Sequence, residues 1–287
     1  MAPVWFITGA SNGLGLSLSL KAAKAGHNVI AAMRNPEKSS DAVRKIETVG
    51  GRVFQLDATE SQASIATKMA QAETIFGSID YLVNNAGYSV LGPLEAFTEQ
   101  EIVQQFQTNV FGPLYILQAV IPGMRSRGSG TIVNVSSVAG QDSMASCSLY
   151  AASKFSLEGY TEGLAKEVAP FGISVLIVEP GAFRTNFLAA SEQGGGGRLP
   201  DAYKDGPVDE VLQKFAGADG NQAGDPEKAV DRIIEIVTGE GQAGSLKGKV
   251  LRLVLGKDAH DRIVNKTDKL RQDLEVTKEI TFGTNFA

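Results

Sequence analysis

Cysteine is nearly missing: Cys147 stands alone in 287 residues, so no intrachain disulfide can form and a reducing, cytoplasmic setting is expected. Histidine is almost as scarce. His27 and His260 lie too far apart in the chain for any metal-ligand spacing, so no metal site is expected. Positive charge is in deficit, 27 Lys and Arg against 32 Asp and Glu for a formal net charge of −5, which leaves no basic field for nonspecific nucleic-acid or anionic-membrane binding. Long apolar runs are also lacking. The longest uncharged stretch, Ile102 to Met124, is interrupted by Gln104, Gln105, Gln107, Asn109, Gly112, Pro113 and Pro122, so no bilayer span is expected. The opening Met1-Ala2-Pro3 and Val4 to Ile7 offer neither the basic region nor the apolar length of a signal peptide. With nucleic-acid and membrane partners set aside, small-molecule chemistry is the leading class.

What is present is ordinary globular material, 43% hydrophobic and 21% charged, enough to bury a substantial core. Short β-rich runs alternate with longer helix-like segments, the pattern of βαβ units feeding a parallel sheet. The expected strands are Val4 to Thr8, Asn28 to Ala32, Arg52 to Leu56, Tyr81 to Val83, Thr131 to Val135, Ile173 to Val178 and Val250 to Val254. Most are continuous apolar runs, as strands covered by helices on both faces should be. Crossover helices are expected over Leu14 to Ala25, Glu60 to Phe76, Glu99 to Leu117, Leu149 to Val168 and Pro226 to Val237. Right-handed crossovers then give an α/β fold with a doubly wound parallel sheet of Rossmann type. No repeat or composition break marks a boundary, so one domain spans 1–287: a cofactor-binding and catalytic core over 1–190, a segment over about 191–225, and a C-terminal helix, last strand and tail over 226–287. The middle segment, from Gly194 to Gly224, carries too many breakers for one continuous element. Such a stretch can be a floppy linker; because it follows a strand end, where ligands sit in open α/β sheets, it reads here as a substrate lid. Asp225-Pro226 ends it as an N-cap followed by proline in the first helical position.

The first strand runs directly into Thr8-Gly9-Ala10-Ser11-Asn12-Gly13-Leu14-Gly15. Glycines at 9, 13 and 15 allow a tight turn and close approach to a pyrophosphate, held by exposed amides at the start of the following helix. The spacing is neither G-x-G-x-x-G nor a Walker A loop. A second constellation is Tyr150-Ala151-Ala152-Ser153-Lys154, where a separation of four places phenol and ammonium on one helix face. An adjacent ammonium favours the phenolate, which makes the pair a candidate general acid and base. Ser137 closes Thr131 to Ser137, at a strand's carboxyl end, where its hydroxyl can hold a carbonyl oxygen. Taken singly, a Tyr and Lys four apart also describe a solvated face, and Ser-Ser after a strand a turn; it is their joint presence with the glycine-rich loop that selects the catalytic reading.

Together these residues resemble the short-chain dehydrogenase/reductase family. Thr8 to Gly15 is similar to its cofactor loop, Asn84-Asn85-Ala86-Gly87 to its sheet-and-cofactor motif, and Asn109, Ser137, Tyr150 and Lys154 to its catalytic residues. Pro180-Gly181 with Thr185 resembles its P-G-x-x-x-T segment. Beyond about residue 190 the likeness is to a looser subgroup with an extended C-terminal substrate segment. The resemblance implies hydride transfer between a nicotinamide and a carbonyl or carbinol carbon. Tyr150 is then the acid or base, Ser137 binds the substrate oxygen, Lys154 depresses the Tyr150 pKa and holds the nicotinamide ribose, and Asn109 anchors a water chain. It further implies a cofactor site built from Gly9, Ser11, Asn12, Gly13, Leu14 and Gly15, from Asn84 and Ala86, and from Tyr150 and Lys154. Asp57 would meet the adenine, and Pro180, Gly181, Phe183 and Thr185 the nicotinamide side.

The second strand ends Ala31-Ala32-Met33-Arg34, without the acid that NAD-preferring folds place against the ribose 2′-hydroxyl. Met33 repels no 2′-phosphate and Arg34 can attract one, so NADP(H) is the expected cofactor; Arg34 as a plain surface residue and the non-basic Asn12 speak the other way. The expected activity is an NADP(H)-dependent ketone or aldehyde reductase, or the reverse dehydrogenase. The alternative is a binding or regulatory protein, or a cyclase or isomerase using the same pocket. Leu91, Met144, Phe183, Phe187 and Leu188 are placed around the substrate by the resemblance, implying a bulky, largely apolar carbonyl or alcohol, although several of them can equally be core. A homodimer or homotetramer is expected through the Glu99 to Met124 segment and the helix after Leu149, with Gln104, Phe106, Phe111 and Leu117 as its patch unless these simply face the sheet. Cys147 is given no role, His27 a place as a cation at a helix end, and His260 a solvated one.

Overall fold

In the computed structural model, which describes residues 2–286, every residue of the first strand, β1 (Val4–Thr8), is buried. Helix α1 (Gly13–Lys24), β2 (Asn28–Met33), α2 (Ser40–Thr48), β3 (Arg52–Gln55), α3 (Gln62–Phe76) and β4 (Tyr81–Asn84) follow. Next come a two-residue strand β5 (Val90–Leu91), α4 (Glu99–Phe106), α5 (Gly112–Arg127), β6 (Gly130–Val135) and α6 (Ser148–Val168). The chain finishes with β7 (Ile173–Pro180), a two-residue strand β8 (Glu192–Gln193), α7 (Pro207–Ala218), α8 (Pro226–Thr238), β9 (Arg252–Leu255) and α9 (Lys257–Phe282).

Seven strands form one parallel sheet in the order β3-β2-β1-β4-β6-β7-β9, the doubly wound Rossmann-type arrangement. Alternate residues of each strand leave opposite faces, which splits the core in two. Trp5, Ile7, Val29, Ala31 and Val133 pack with Leu18 of α1 and Ile233 of α8, whereas Phe6, Ile30, Leu82 and Ile132 pack with Met69 of α3, Val120 of α5 and Leu164 of α6. The order reverses between β1 and β4, and a crevice opens at the carboxyl ends there. β5 and β8 pair separately, tying the stretch after β4 to the one after β7. Among the described residues no helix is long and apolar enough to cross a membrane.

Several expected boundaries move for identifiable reasons. The single helix expected over Glu99 to Leu117 is two helices joined by a π turn over 107–111, in which the Gly112 N–H donates to the Gln107 carbonyl. There α5 passes so close to Ala58 that a Cβ on Gly112 would lie 2.4 Å from its carbonyl oxygen. β9 starts at Arg252 rather than Val250, after a turn closed by the Lys249 N–H on the Leu246 carbonyl. The breaker-rich 194–224 stretch contains the twelve-residue α7, begun by Pro207, while Asp225 caps α8 through the Glu227 N–H. His27 follows the end of α1, where its N–H donates to the Ala22 carbonyl, and its Nδ1 accepts a 2.7 Å bond from the Trp5 indole. Of the patch expected between subunits, Leu117 is buried under the sheet and Phe106 packs against Val90, Phe97 and Leu149; only Gln104 and Phe111 are exposed.

Candidate active site

The crevice floor is the glycine-rich loop. Gly9 and Gly13 have φ of +66° and +53°, which favours glycine, and a Cβ on Gly15 would lie 2.4 Å from the Gly9 carbonyl oxygen and 2.5 Å from Asn85 Nδ2. The loop is fastened to β4 from two sides: Thr8 Oγ1 accepts from the Asn85 and Ala86 N–H groups at 3.0 Å each, and Asn85 Nδ2 donates to the Thr8 and Gly9 carbonyls. Ser61, Thr98 and Asp225 cap their helices, but the Asn12 side chain makes no cap bond, so among the described residues no N-cap side chain occupies the first N–H groups of α1. Thr185 packs over Gly13, bringing the segment after β7 across the loop. A backbone cradle with an uncapped helix start fits a dinucleotide pyrophosphate.

Ser137, Tyr150 and Lys154 meet at the carboxyl end of β6. Ser137 leaves the strand, its hydroxyl accepting from the Ala139 N–H at 3.1 Å, and Tyr150 stands on α6. Burial drives the Tyr150 pKa upward, with the Ser137 hydroxyl opposing and Cys147 adding to the rise. Lys154, one turn on, donates from Nζ to the Val135 carbonyl at 2.8 Å and lies 5.8 Å from the Tyr150 ring centre. Burial lowers its pKa to about 8, opposed by the charge of Glu158. The π turn aims Asn109 inward, where Nδ2 donates to the Tyr88 carbonyl and to Ser153 Oγ, both at 3.0 Å, and Oδ1 accepts from the Tyr88 N–H. A Cβ on Gly87 would sit 3.2 Å from Asn109 Oδ1 and 3.4 Å from Lys154 Nζ, so the chain after β4 passes directly over both.

Other expected site residues divide. Arg34 is exposed and pairs with no carboxylate among the described residues. Asp57 spends Oδ1 on the N–H and hydroxyl of Thr59, and Leu14 packs into the core. The Asn84 side chain does not enter the crevice; it bonds Asn134 inside the sheet at 2.9 Å, joining β4 to β6. Nor does the Phe183 ring line the substrate cleft: it is wedged against Gly224, where a Cβ would come within 2.6 Å of it, and packs on the core. The Phe187 ring lies 5.6 Å from that of Tyr150, while Leu91 is buried in β5 and Met144 and Leu188 are half-buried.

Some contributors escaped the sequence reading. Asn85, Gly87 and Ser153 lie inside quoted motifs, yet only the fold shows what they touch. Behind Tyr150 and Lys154 lies a buried charged cluster. Glu158 accepts from Ser136 Oγ at 2.5 Å, from Gln141 and from Arg252, and Arg252 also pairs with Glu179 at 2.8 Å and with Glu162. Burial and the neighbouring Glu158 raise the Glu179 pKa, with Arg252 and Gln141 opposing. The signal was available: Glu179 and Arg252 are charges inside apolar strands, and Glu158 continues the Tyr150–Lys154 face. Lys38, Ser39 and Ser40 are the other omission, since with Ser11, Asn12 and Asn186 they line a cavity of about 320 Å³ beside the loop.

Residues 3–195 match the short chain dehydrogenase family. The chain is 43% identical over 218 residues to the oxidoreductase claN of Passalora fulva, covering 76% of this chain and 97% of that one. It is 32% identical over 286 residues to an oxidoreductase of Botryotinia fuckeliana, covering 99% and 100%. The crystal structure of a short-chain dehydrogenase from Streptomyces avermitilis has a TM-score of 0.86 at 38% identity, with both chains covered in full. A metagenomic short-chain oxidoreductase in complex with NADP has a TM-score of 0.67 at 25% identity, with 88% and 96% covered. Sequence, fold and the Ser137–Tyr150–Lys154 constellation agree: the chain belongs to the short-chain dehydrogenase/reductase family.

Proposed function

We propose that the protein is an NADP(H)-dependent oxidoreductase that moves a hydride between nicotinamide and the carbonyl or secondary alcohol of a bulky, largely apolar substrate. The observation carrying this reading is the convergence of Ser137, Tyr150 and Lys154 at the end of β6, beside a glycine cradle and an uncapped helix start. When bound, the dinucleotide supplies or accepts the hydride. Ser137 holds the substrate oxygen, and Tyr150 gives that oxygen a proton during reduction or takes one during oxidation. The Lys154 ammonium, held by the Val135 carbonyl, favours the phenolate form and stands ready for the ribose. Asn109 fixes the wall over Lys154 through Tyr88 and Ser153.

The choice of NADP(H) is supported by the apolar, buried Met33 where an acid would select NAD, by unpaired Arg34, and by Lys38, Ser39 and Ser40 on the neighbouring cavity. Asp41 also lines that cavity but pairs with Arg44. NADP in the metagenomic relative is in line with this choice. Phe187 against Tyr150, with Leu91, Met144 and Leu188, supports an apolar substrate. Ile102, Val103, Phe111 and Phe155, exposed on or between α4, α5 and α6, support association into a homodimer or homotetramer. The test follows loss of reduced-nicotinamide absorbance with a ketone panel and either cofactor. Oxidation of NADPH in preference to NADH, with aromatic ketones turned over faster than a small keto acid, is expected; no oxidation with any ketone would overturn the proposal.

A further inference from the structure

The start of α9 touches both walls of the cleft. On one side lies the turn after β7, Pro180 to Thr185. The Ala182 N–H donates to Asp258 Oδ2 at 2.8 Å, and a Cβ on Gly181 would lie 2.3 and 2.4 Å from the two carboxylate oxygens. The carboxylate is therefore packed flat on this backbone. Gly256, with φ of +97°, makes the sharp entry into α9 that presents it. On the other side is the segment after Ser137. Arg262 grips Asp142 twice, Nε to the carboxylate at 2.9 Å and Nη2 to the backbone carbonyl at 2.6 Å. Asp142 in turn follows the Val138–Gly140 turn, its N–H bonded to the Val138 carbonyl, and precedes Met144.

Asp258 and Arg262 are four residues apart, on one face of a helix and separated by ~6 Å along its axis. One rigid helical turn thus spans the segment that carries Thr185 and the segment that carries Ser137. The Arg262–Asp142 contact is partly buried and the Asp258–Ala182 contact is exposed, and both join parts of the chain far apart in sequence, 120 and 76 residues. Beyond Arg262, by contrast, α9 buries no residue.

We propose that Asp258 and Arg262 are positioning residues that set the two walls of the cleft independently, Asp258 the cofactor side and Arg262 the substrate side. The proposal rests on the oxidoreductase reading of that cleft. Removal of the Asp258 carboxylate frees the Ala182 N–H and loosens the Pro180 to Thr185 turn where the nicotinamide end of a dinucleotide would lie. Removal of the Arg262 guanidinium frees the 138–144 segment, and with it Met144, while the opposite wall stays anchored by the β7–β9 ladder.

The experiment measures the NADPH dissociation constant by nucleotide fluorescence, the KM for the best ketone, and the melting temperature, in wild type, Asp258→Ala, Asp258→Asn, Arg262→Ala and Arg262→Lys. Loss of a hydrogen bond to a charged group predicts an NADPH dissociation constant about tenfold higher in Asp258→Ala with ketone KM little changed. Asp258→Asn, whose carboxamide oxygen still accepts from Ala182, should bind NADPH nearly as wild type does. Arg262→Ala should raise ketone KM by about tenfold and leave NADPH binding alone, with Arg262→Lys intermediate because an ammonium cannot grip both acceptors. If both alanine variants change the two constants in parallel with a falling melting temperature, or change neither, the clamp is wrong while the oxidoreductase reading stands. If wild type binds no NADPH or NADH, both fall together.

Discussion

Lys154→Met isolates the electrostatic part of the site because the long apolar side chain keeps the packing while the ammonium goes. Burial brings Lys154 down to about 8 and drives Tyr150 up, so the first proton lost from the two leaves either a neutral amine or a phenolate beside an ammonium. The second of these is the base that alcohol oxidation needs. From Nζ to the ring centre is 5.8 Å, and at an effective dielectric of about 20 that separation stabilises the phenolate by ~3 kcal/mol, or ~2 pH units. In the variant the phenol titrates alone in a buried site, so the midpoint of kcat/KM for oxidation should move upward by about two units, with activity at neutral pH falling roughly a hundredfold. The assay is the pH dependence of oxidation of a secondary alcohol, with urea denaturation as a control for folding. A weakly active, fully folded variant that keeps the wild-type midpoint would refute the reasoning.

Two more perturbations probe the supports. Gly15→Ala drives a Cβ into the Gly9 carbonyl and the Asn85 amide, so it should cost ~1–3 kcal/mol in urea unfolding and weaken dinucleotide binding; unchanged binding would show that the loop does not cradle the nucleotide. Glu179→Gln keeps an acceptor for Arg252 while removing a carboxyl whose folded pKa lies above its unfolded value. That carboxyl's contribution to stability is complete below about pH 4.5 and is lost as pH rises through the folded value, so the variant should gain on wild type in urea midpoint between about pH 5 and about pH 9. An equal difference at both pH values would count against a buried, proton-holding Glu179.

What was legible in the sequence follows from which interactions are local. Seven strands stood out because strands buried on both faces are written as continuous apolar runs, and Asp225-Pro226 announced a helix start by local chemistry. β5 and β8, two residues each, are too short for any periodicity, and the close approach of Gly112, just after the π turn at 107–111, to Ala58 is a contact no local pattern encodes. Leu117 and Phe106 were misplaced because hydrophobicity does not distinguish a core face from an interface. Conversely Gln105 is fully buried, since its amide accepts from the Val90 N–H and donates to the Tyr88 carbonyl. The residues proposed as catalytic were legible through their motif spacing. Glu158, Glu179 and Arg252 each carried a local signal, but their pairing with one another, like that of Asp258 with Ala182 and of Arg262 with Asp142, was not legible, because the partners are distant in sequence.

Tyr150→Phe tests the central claim most directly, because it removes one transferable proton and leaves the ring packed against Phe187. Ketone reduction with NADPH should fall by ~10²–10⁴-fold while the NADPH dissociation constant stays within a factor of about two of wild type. Reduction at a near-wild-type rate would contradict the assignment of Tyr150 as the proton donor.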